Sequence, residues 1–161
     1  MTRALWLDMD GVLADFETLA TEVLGMGPVA FEAAFGEDAL WDRIYRREHF
    51  FADLALLPDA RALWDGVMAL GYRPAILTGT PKGLWAEADK IRWARRHFPE
   101  TRVQTCLARH KYVYCVPGAV LIDDREKYAR RWRDAGGVFI VHRSAAESLA
   151  QLRALSPPGE F

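Results

Sequence analysis

Cysteine is almost absent: Cys106 and Cys115 are the only two in 161 residues. They form neither a CxxC pair nor a ligand cluster. That excludes a disulfide-stapled scaffold and a zinc ribbon, and it fits thiols kept reduced in the cytoplasm. No apolar run approaches the ~20 residues needed to span a bilayer. The start, MTRALWLDMDG, has too short an apolar run, cut by acids, to act as a secretory signal. Neither sign of charge dominates, since 21 Lys and Arg against 22 Asp and Glu leave a formal net charge of -1. The chain therefore offers no basic stripe to a nucleic-acid polymer and no membrane-binding face. It has no glycine-rich GKT or GKS loop, no Ser-His-Asp set, no internal repeat and no low-complexity tract. With 51% hydrophobic and 27% charged residues, what remains is a globular chain of a length suited to one domain.

What is present is organised around LWLDMDGVLADF, residues 5–16. A short apolar run closing on Asp8 reads as a buried strand of a parallel sheet. Asp10 follows two residues later, then Gly11. Positions two apart in a strand point to the same side. Two carboxylates so placed repel unless a cation lies between them or one holds a proton. The pair predicts a metal site, an acid–base site or both.

Downstream, helices are expected over 14–24, 29–35 and 37–47, the last with Leu40, Trp41, Ile44 and Tyr45 on one face. The aromatic segment HFFADLALLPDA leads to Pro58 and Asp59, a helix start. A helix over 60–70, a strand over 72–77, a helix over 83–98 and a strand over 102–107 follow. A strand over 119–122, a helix over 127–135, a strand over 138–141 and a helix over 144–155 complete the chain. Ser144 and Glu147 have the spacing of a capping box. Strand and helix in alternation predict an α/β fold, a parallel sheet with helices on both faces. The expected division is a core of residues 1–15 and 59–155, a small helical cap of residues 16–58 inserted after strand 1, and a C-terminal tail of residues 156–161.

Ligands of such sheets sit beyond the carboxyl ends of the strands. Those ends supply Asp8 and Asp10, Thr78, and Asp123 with Asp124, while a loop after the third strand supplies Lys111. Hard oxygen donors favour Mg²⁺. A cation beside an ammonium group attracts a phosphate dianion and lowers its repulsion of an attacking carboxylate. Asp8 could then be a nucleophile and Asp10 a general acid and base. Asp8 and Asp123 are the natural metal ligands, with Asp124 behind them. Thr78, with the nearby backbone N–H at Gly79, would hold a phosphoryl oxygen. Lys82 competes with Lys111 for the ammonium role.

DMDGVLADF, ILTGT, RHK and LIDDR resemble the four motifs of the haloacid dehalogenase superfamily. Within it they are most similar to the 5'(3')-deoxyribonucleotidases. HFFADLALLPDA resembles that family's aromatic cap segment, and KIRWARRHFP resembles its helix after the second motif. The resemblance implies a Rossmann-like three-layer fold with a five-stranded parallel sheet of order 3-2-1-4-5. It implies a Mg²⁺-dependent phosphomonoesterase working through an aspartyl-phosphate on Asp8. Asp10 would be the acid and base, and Thr78, Gly79 and Lys111 would bind phosphate. Asp8, the Asp10 carbonyl and Asp123 would hold Mg²⁺. It places the motif lysine at Lys111, not Lys82. The substrate would be a deoxyribonucleoside monophosphate and the location the cytoplasm. A second acid at Asp10 favours a phosphatase over a dehalogenase, because a phosphorylated leaving group needs a proton.

Two departures stand out. ILTGTP has one residue more than the family's usual turn, and the cap is shorter than in the animal enzymes. The cap rings Phe50 and Phe51, with Trp41 and Tyr45 nearby, would contact the nucleobase or simply pack the cap onto the core. Arg109 would contact phosphate or base. Two other readings share the motifs: a phosphatase of another small metabolite, and a non-catalytic binding protein on the same fold. The sequence leaves a homodimer open.

Overall fold

A computed structural model describes residues 3–155, so the tail expected over 156–161 lies outside the described residues. Five strands form one parallel sheet: β1 (Leu5–Leu7), β2 (Pro74–Gly79), β3 (Val103–Cys106), β4 (Val120–Asp123) and β5 (Val138–Val141). Their order is β3-β2-β1-β4-β5. The first strand is central, pairing Leu5 with both Pro74 and Val120. The order of strands reverses beside it, which is where open α/β sheets place their ligands.

Side chains alternate between the two faces of the sheet. Leu5, Leu7, Ile76, Ile122 and Ile140 join one core cluster. Trp6, Leu77, Leu121 and Phe139 join another on the opposite face, with Ala129 and Trp132. The first cluster takes in Leu63 and Val67 of α4 (Ala60–Ala69), Trp93 of α5 (Trp85–His97), and Leu149 and Leu152 of α7 (Ala145–Ala154). Ala129 and Trp132 belong to α6 (Ala129–Asp134), which is preceded by a short 3-10 turn, Glu126–Tyr128.

Between β1 and α4 lie three helices, α1 (Phe16–Leu24), α2 (Pro28–Phe35) and α3 (Glu37–Arg46). The chain enters and leaves this insert along paired segments. Ala14 bridges Leu56 in antiparallel fashion, the Asp15 N–H donates to the Ala55 carbonyl (2.8 Å) and the Leu57 N–H to the Leu13 carbonyl (2.8 Å). Two side chains of α5 clamp the returning segment. Trp93 Nε1 donates to the Leu54 carbonyl (2.8 Å) and Arg96 Nη1 to the Ala52 carbonyl (2.9 Å).

Several boundaries differ from expectation. β2 runs on through Thr78 and Gly79, because these still pair with Thr105 and Cys106. Helix α5 starts two residues late, since Gly83 has φ +91°. The loop after β3 is a 3-10 segment, Ala108–Tyr114. Asp59 makes no side-chain bond to its own helix. It accepts instead from the Ala145 N–H (2.7 Å), at the start of α7. Ser144 does cap α7, accepting from the Glu147 N–H (3.2 Å). Among the described residues no helix is long and apolar enough to cross a membrane.

Candidate active site

The central strand ends one residue before Asp8, whose N–H still donates to the Ile122 carbonyl of β4 (2.9 Å). The chain then turns sharply. The Leu13 and Ala14 N–H groups both donate to the Met9 carbonyl, at 2.9 and 2.8 Å, and Gly11 takes φ +80°. This turn carries Asp10 back over the sheet edge, next to Asp8.

Asp8 is buried. Its Oδ1 accepts from the Met9 N–H (2.9 Å) and from Lys111 Nζ (2.9 Å). Lys111, on the 3-10 segment, also donates to Asp123 Oδ2 (2.9 Å). Asp123 Oδ1 accepts from the Arg125 N–H (3.0 Å). Asp8, Asp123 and Asp124 each present an oxygen within 4.8 Å of the others. A second ammonium lies deeper. Lys90 of α5 is 1% exposed and donates to Asp10 Oδ2 (2.7 Å), Thr78 Oγ1 (3.1 Å) and the Gly79 carbonyl (2.6 Å).

Burial, and then the charge of Asp123, pushes the Asp8 carboxyl well above its ordinary range. The same two causes raise Asp124 to about 6. Burial would also raise Asp123, but the charge and hydrogen bond of Lys111 and the Arg125 N–H hold it below its ordinary value. Burial would lower Lys111, yet Asp8 and Asp123 hold it above. Metal ligands must be deprotonated. A cation at this cluster would replace the protons that burial and mutual repulsion now favour.

The donor set fits such a cation. Four carboxylates, Asp8, Asp10, Asp123 and Asp124, face two ammonium groups, Lys90 and Lys111. The deficit is two positive charges, which one divalent ion matches. Asp124 Oδ1 and Asp10 Oδ1 are enclosed and take no hydrogen bond. Buried polar atoms left unpaired are costly. All the donors are hard oxygens, as Mg²⁺ prefers.

Above this floor lies a cleft of about 350 Å³. Phe16, Leu40 and Trp41 of the insert form one wall, while Arg109, Lys127 and Arg131 stand on the core side. Gly79 and Thr80 line it, whereas Thr78 is wholly buried beneath. Lys82 is exposed and stands outside the lining.

The cap rings separate into two groups. Trp41 reaches the cleft. Phe50 and Phe51 are 1% and 0% exposed, packed edge to face at 5.1 Å with Phe16 beside them, so neither has an open face for a base. Tyr45 points elsewhere, its ring 5.4 Å from Trp85 in a separate surface hollow. Sequence reasoning left all four open between contacting a nucleobase and packing the cap onto the core; Phe50 and Phe51 pack, and of the four only Trp41 lines the cleft. That reasoning missed Lys90 altogether.

A 3-2-1-4-5 parallel sheet with acids closing its two central strands defines a hydrolase fold of the haloacid dehalogenase type. A hydrolase from Streptococcus pneumoniae superposes with a TM-score of 0.57 over 95% of this chain and 100% of its own, at 16% identity. The L-2-haloacid dehalogenase of Xanthobacter autotrophicus gives 0.54 over 99% and 85%, at 12% identity. These likenesses concern the fold alone. The family model described as "5' nucleotidase, deoxy (Pyrimidine), cytosolic type C protein" matches residues 29–154. A Bordetella pertussis protein described as "Putative 5'(3')-deoxyribonucleotidase" is 34% identical over 74% of this chain and 72% of its own. The chain belongs to this type C 5'-nucleotidase family and is a phosphomonoester hydrolase.

Proposed function

We propose that the protein is a cytoplasmic, Mg²⁺-dependent 5'(3')-deoxyribonucleotidase that clears the phosphate of deoxyribonucleoside monophosphates by way of a phosphoryl group on Asp8. The observation carrying this reading is Asp8 itself: buried at the end of the central strand, tied to Lys111 and grouped with the carboxylates of Asp123 and Asp124. The nucleotide part of the reading rests on the family description and the name of the Bordetella relative.

Asp8, Asp123 and the Asp10 backbone carbonyl would hold the ion, with Asp124 beside them. When bound, Mg²⁺ supplies charge that offsets the phosphate dianion and eases the approach of a carboxylate. The Met9 N–H and Lys111 hold Asp8 Oδ1, which leaves Oδ2 to attack phosphorus. As that bond forms, the bond from phosphorus to the nucleoside oxygen breaks, and Asp10 gives this oxygen its proton. Asp10 then takes a proton from water. The resulting hydroxide bonds to phosphorus, the Asp8–phosphorus bond breaks, and inorganic phosphate leaves. Lys111 has three donors and spends two on carboxylates, keeping one for a phosphoryl oxygen. Thr78 accepts from Lys90 below the cleft, while Gly79 lines the cleft where a phosphoryl oxygen would bind. The nucleoside would lie in the cleft between Trp41 and Arg109. The helical insert of residues 16–58 acts as the cap that covers it.

Hydrolysis of p-nitrophenyl phosphate should require Mg²⁺ and vanish in Asp8→Asn. Retained turnover in that variant would remove Asp8 from the chemistry. A substrate panel decides the finer point: deoxyribonucleoside monophosphates should outrank sugar phosphates in kcat/KM, and the reverse order would leave a phosphatase of another metabolite.

A further inference from the structure

Lys90 sits in mid-helix among the charges of KIRWARRHF, yet it is among the most enclosed side chains of the protein. An ammonium has three N–H donors and no acceptor. All three are spent inside the protein, on Asp10 Oδ2, Thr78 Oγ1 and the Gly79 carbonyl. The ring of Phe51 covers it, its centroid 4.3 Å from Nζ. No donor remains for a substrate phosphate, so Lys90 does not duplicate Lys111. It joins two loops, the turn after β1 and the end of β2, through the very groups assigned to proton transfer and phosphate binding.

We propose that Lys90 is the positioning residue of Asp10. It grips Oδ2 and so fixes the Asp10 carboxyl at the cleft that this residue lines. Phe51, and Phe50 packed against it, act through this grip: their rings hold the ammonium in place and do not stack on a base. The inference rests on the reading of Asp10 as acid and base. In the first step Asp8 Oδ2 bonds to phosphorus, the phosphorus–oxygen bond to the nucleoside breaks, and the proton on the Asp10 carboxyl moves to that oxygen. In the second, a water proton moves to the Asp10 carboxylate as the water oxygen displaces Asp8.

A residue that works through the proton donor reveals itself by the leaving group. A nucleoside alkoxide needs a proton to depart, whereas p-nitrophenolate does not. With Mg²⁺ present, Lys90→Met should lower kcat/KM for a deoxyribonucleoside 5'-monophosphate by about 10²–10⁴, the usual worth of a general acid. The first turnover of p-nitrophenyl phosphate should fall less than about tenfold on the same scale. A burst of p-nitrophenol, one per enzyme, should then precede a slow steady state, because the hydrolytic step also needs Asp10. Equal losses on both substrates with no burst would overturn the proposal and leave Lys90 a structural residue.

The Lys90→Met, Asp10→Asn double variant guards against misfolding, since it removes both members of the Lys90–Asp10 ion pair. On the Asp10→Asn background, Lys90→Met should cost less than about threefold, as expected when two residues act as one unit. A loss there as large as in the wild-type background would overturn the proposal even if the single variant cannot be purified. Asp10→Asn alone with wild-type turnover on both substrates would overturn the acid–base reading itself, a result separable from the Lys90 comparison.

Discussion

Gly11 lies directly beneath the carboxylate of Asp124: a Cβ built on it would fall 2.1 Å from Asp124 Oδ2 and 2.4 Å from Cγ. Its φ of +80° is also one that side chains disfavour. The turn after the central strand and the acid following β4 can share the sheet edge only because this position has no side chain. Gly11→Ala should therefore displace Asp124 and weaken Mg²⁺ binding about 10–100-fold, the range for losing a supporting group at a metal site. The backbone strain should remove about 1–3 kcal/mol of stability. Calorimetric titration with Mg²⁺, alongside urea unfolding, reads both effects, and unchanged affinity would place Asp124 outside the metal's surroundings.

Asp10→Asn keeps the backbone carbonyl assigned to the ion and loses the proton-transfer group. Turnover of a nucleotide should fall about 10²–10⁴-fold, while Mg²⁺ affinity stays within about threefold of wild type, well inside the 10–100-fold range of a lost supporting group. Measured by the same titration, abolished Mg²⁺ binding would contradict the division between side chain and carbonyl.

The acids at the sheet edge make metal binding depend on pH in a definite sense. Asp124 is raised to about 6 and Asp8 is raised too, in both cases by burial first and then by Asp123. Without an ion, Asp124 and Asp8 bind more protons in the folded chain than in the unfolded one between about pH 4 and 6, so these two groups add stability as pH falls through that window. Mg²⁺ requires the ionised forms. The rise in Tm produced by saturating Mg²⁺ should be largest near pH 7.5 and shrink as pH drops below about 6, towards a small value at pH 5. Thermal melts with and without Mg²⁺ across this range test it, and an increment independent of pH would be inconsistent with a carboxylate site of this kind.

Asp59 tethers α4 to α7, two of the helices on one face of the sheet, accepting from the Ala145 N–H at 2.7 Å. Asp59→Ala should cost about 0.5–2 kcal/mol, as for a lost helix N-terminal acceptor. Asp59→Asn, which retains an acceptor oxygen, should cost less. Asp59 is not part of the cleft lining, so kcat should hold in both. Urea midpoints that do not separate Ala from Asn would deny the bond its share.

The parts of the site that the sequence made legible are those fixed by the sheet. Apolar runs end at Asp8, Thr78 and Asp123, and a parallel sheet brings such ends to one edge whatever the loops do. The illegible parts depend on what faces a residue across the fold. In KIRWARRHF only helical spacing, with Lys90 three and four residues before Trp93 and Ala94, hints that it differs from the exposed Arg92, Arg95 and Arg96, and the spacing does not reveal the partner that lets a cation be buried, Asp10, 80 positions away. The pair Phe50 and Phe51 poses the same difficulty: a ring that packs and a ring that stacks on a base have one spelling. Asp59 reads as the start of its own helix, and only the tertiary fold turns it toward Ala145. β2 outruns its turn signal because pairing with β3 continues for two more residues.

The paired crossing of residues 13–15 and 55–57 sets the chain's entry and exit side by side at one narrow neck. What hangs beyond that neck is anchored by two adjacent ends, so its length and composition can be exchanged as one module. Transplanting the corresponding helices of a relative across this junction would redraw which phosphate esters are admitted while leaving the reacting groups in place.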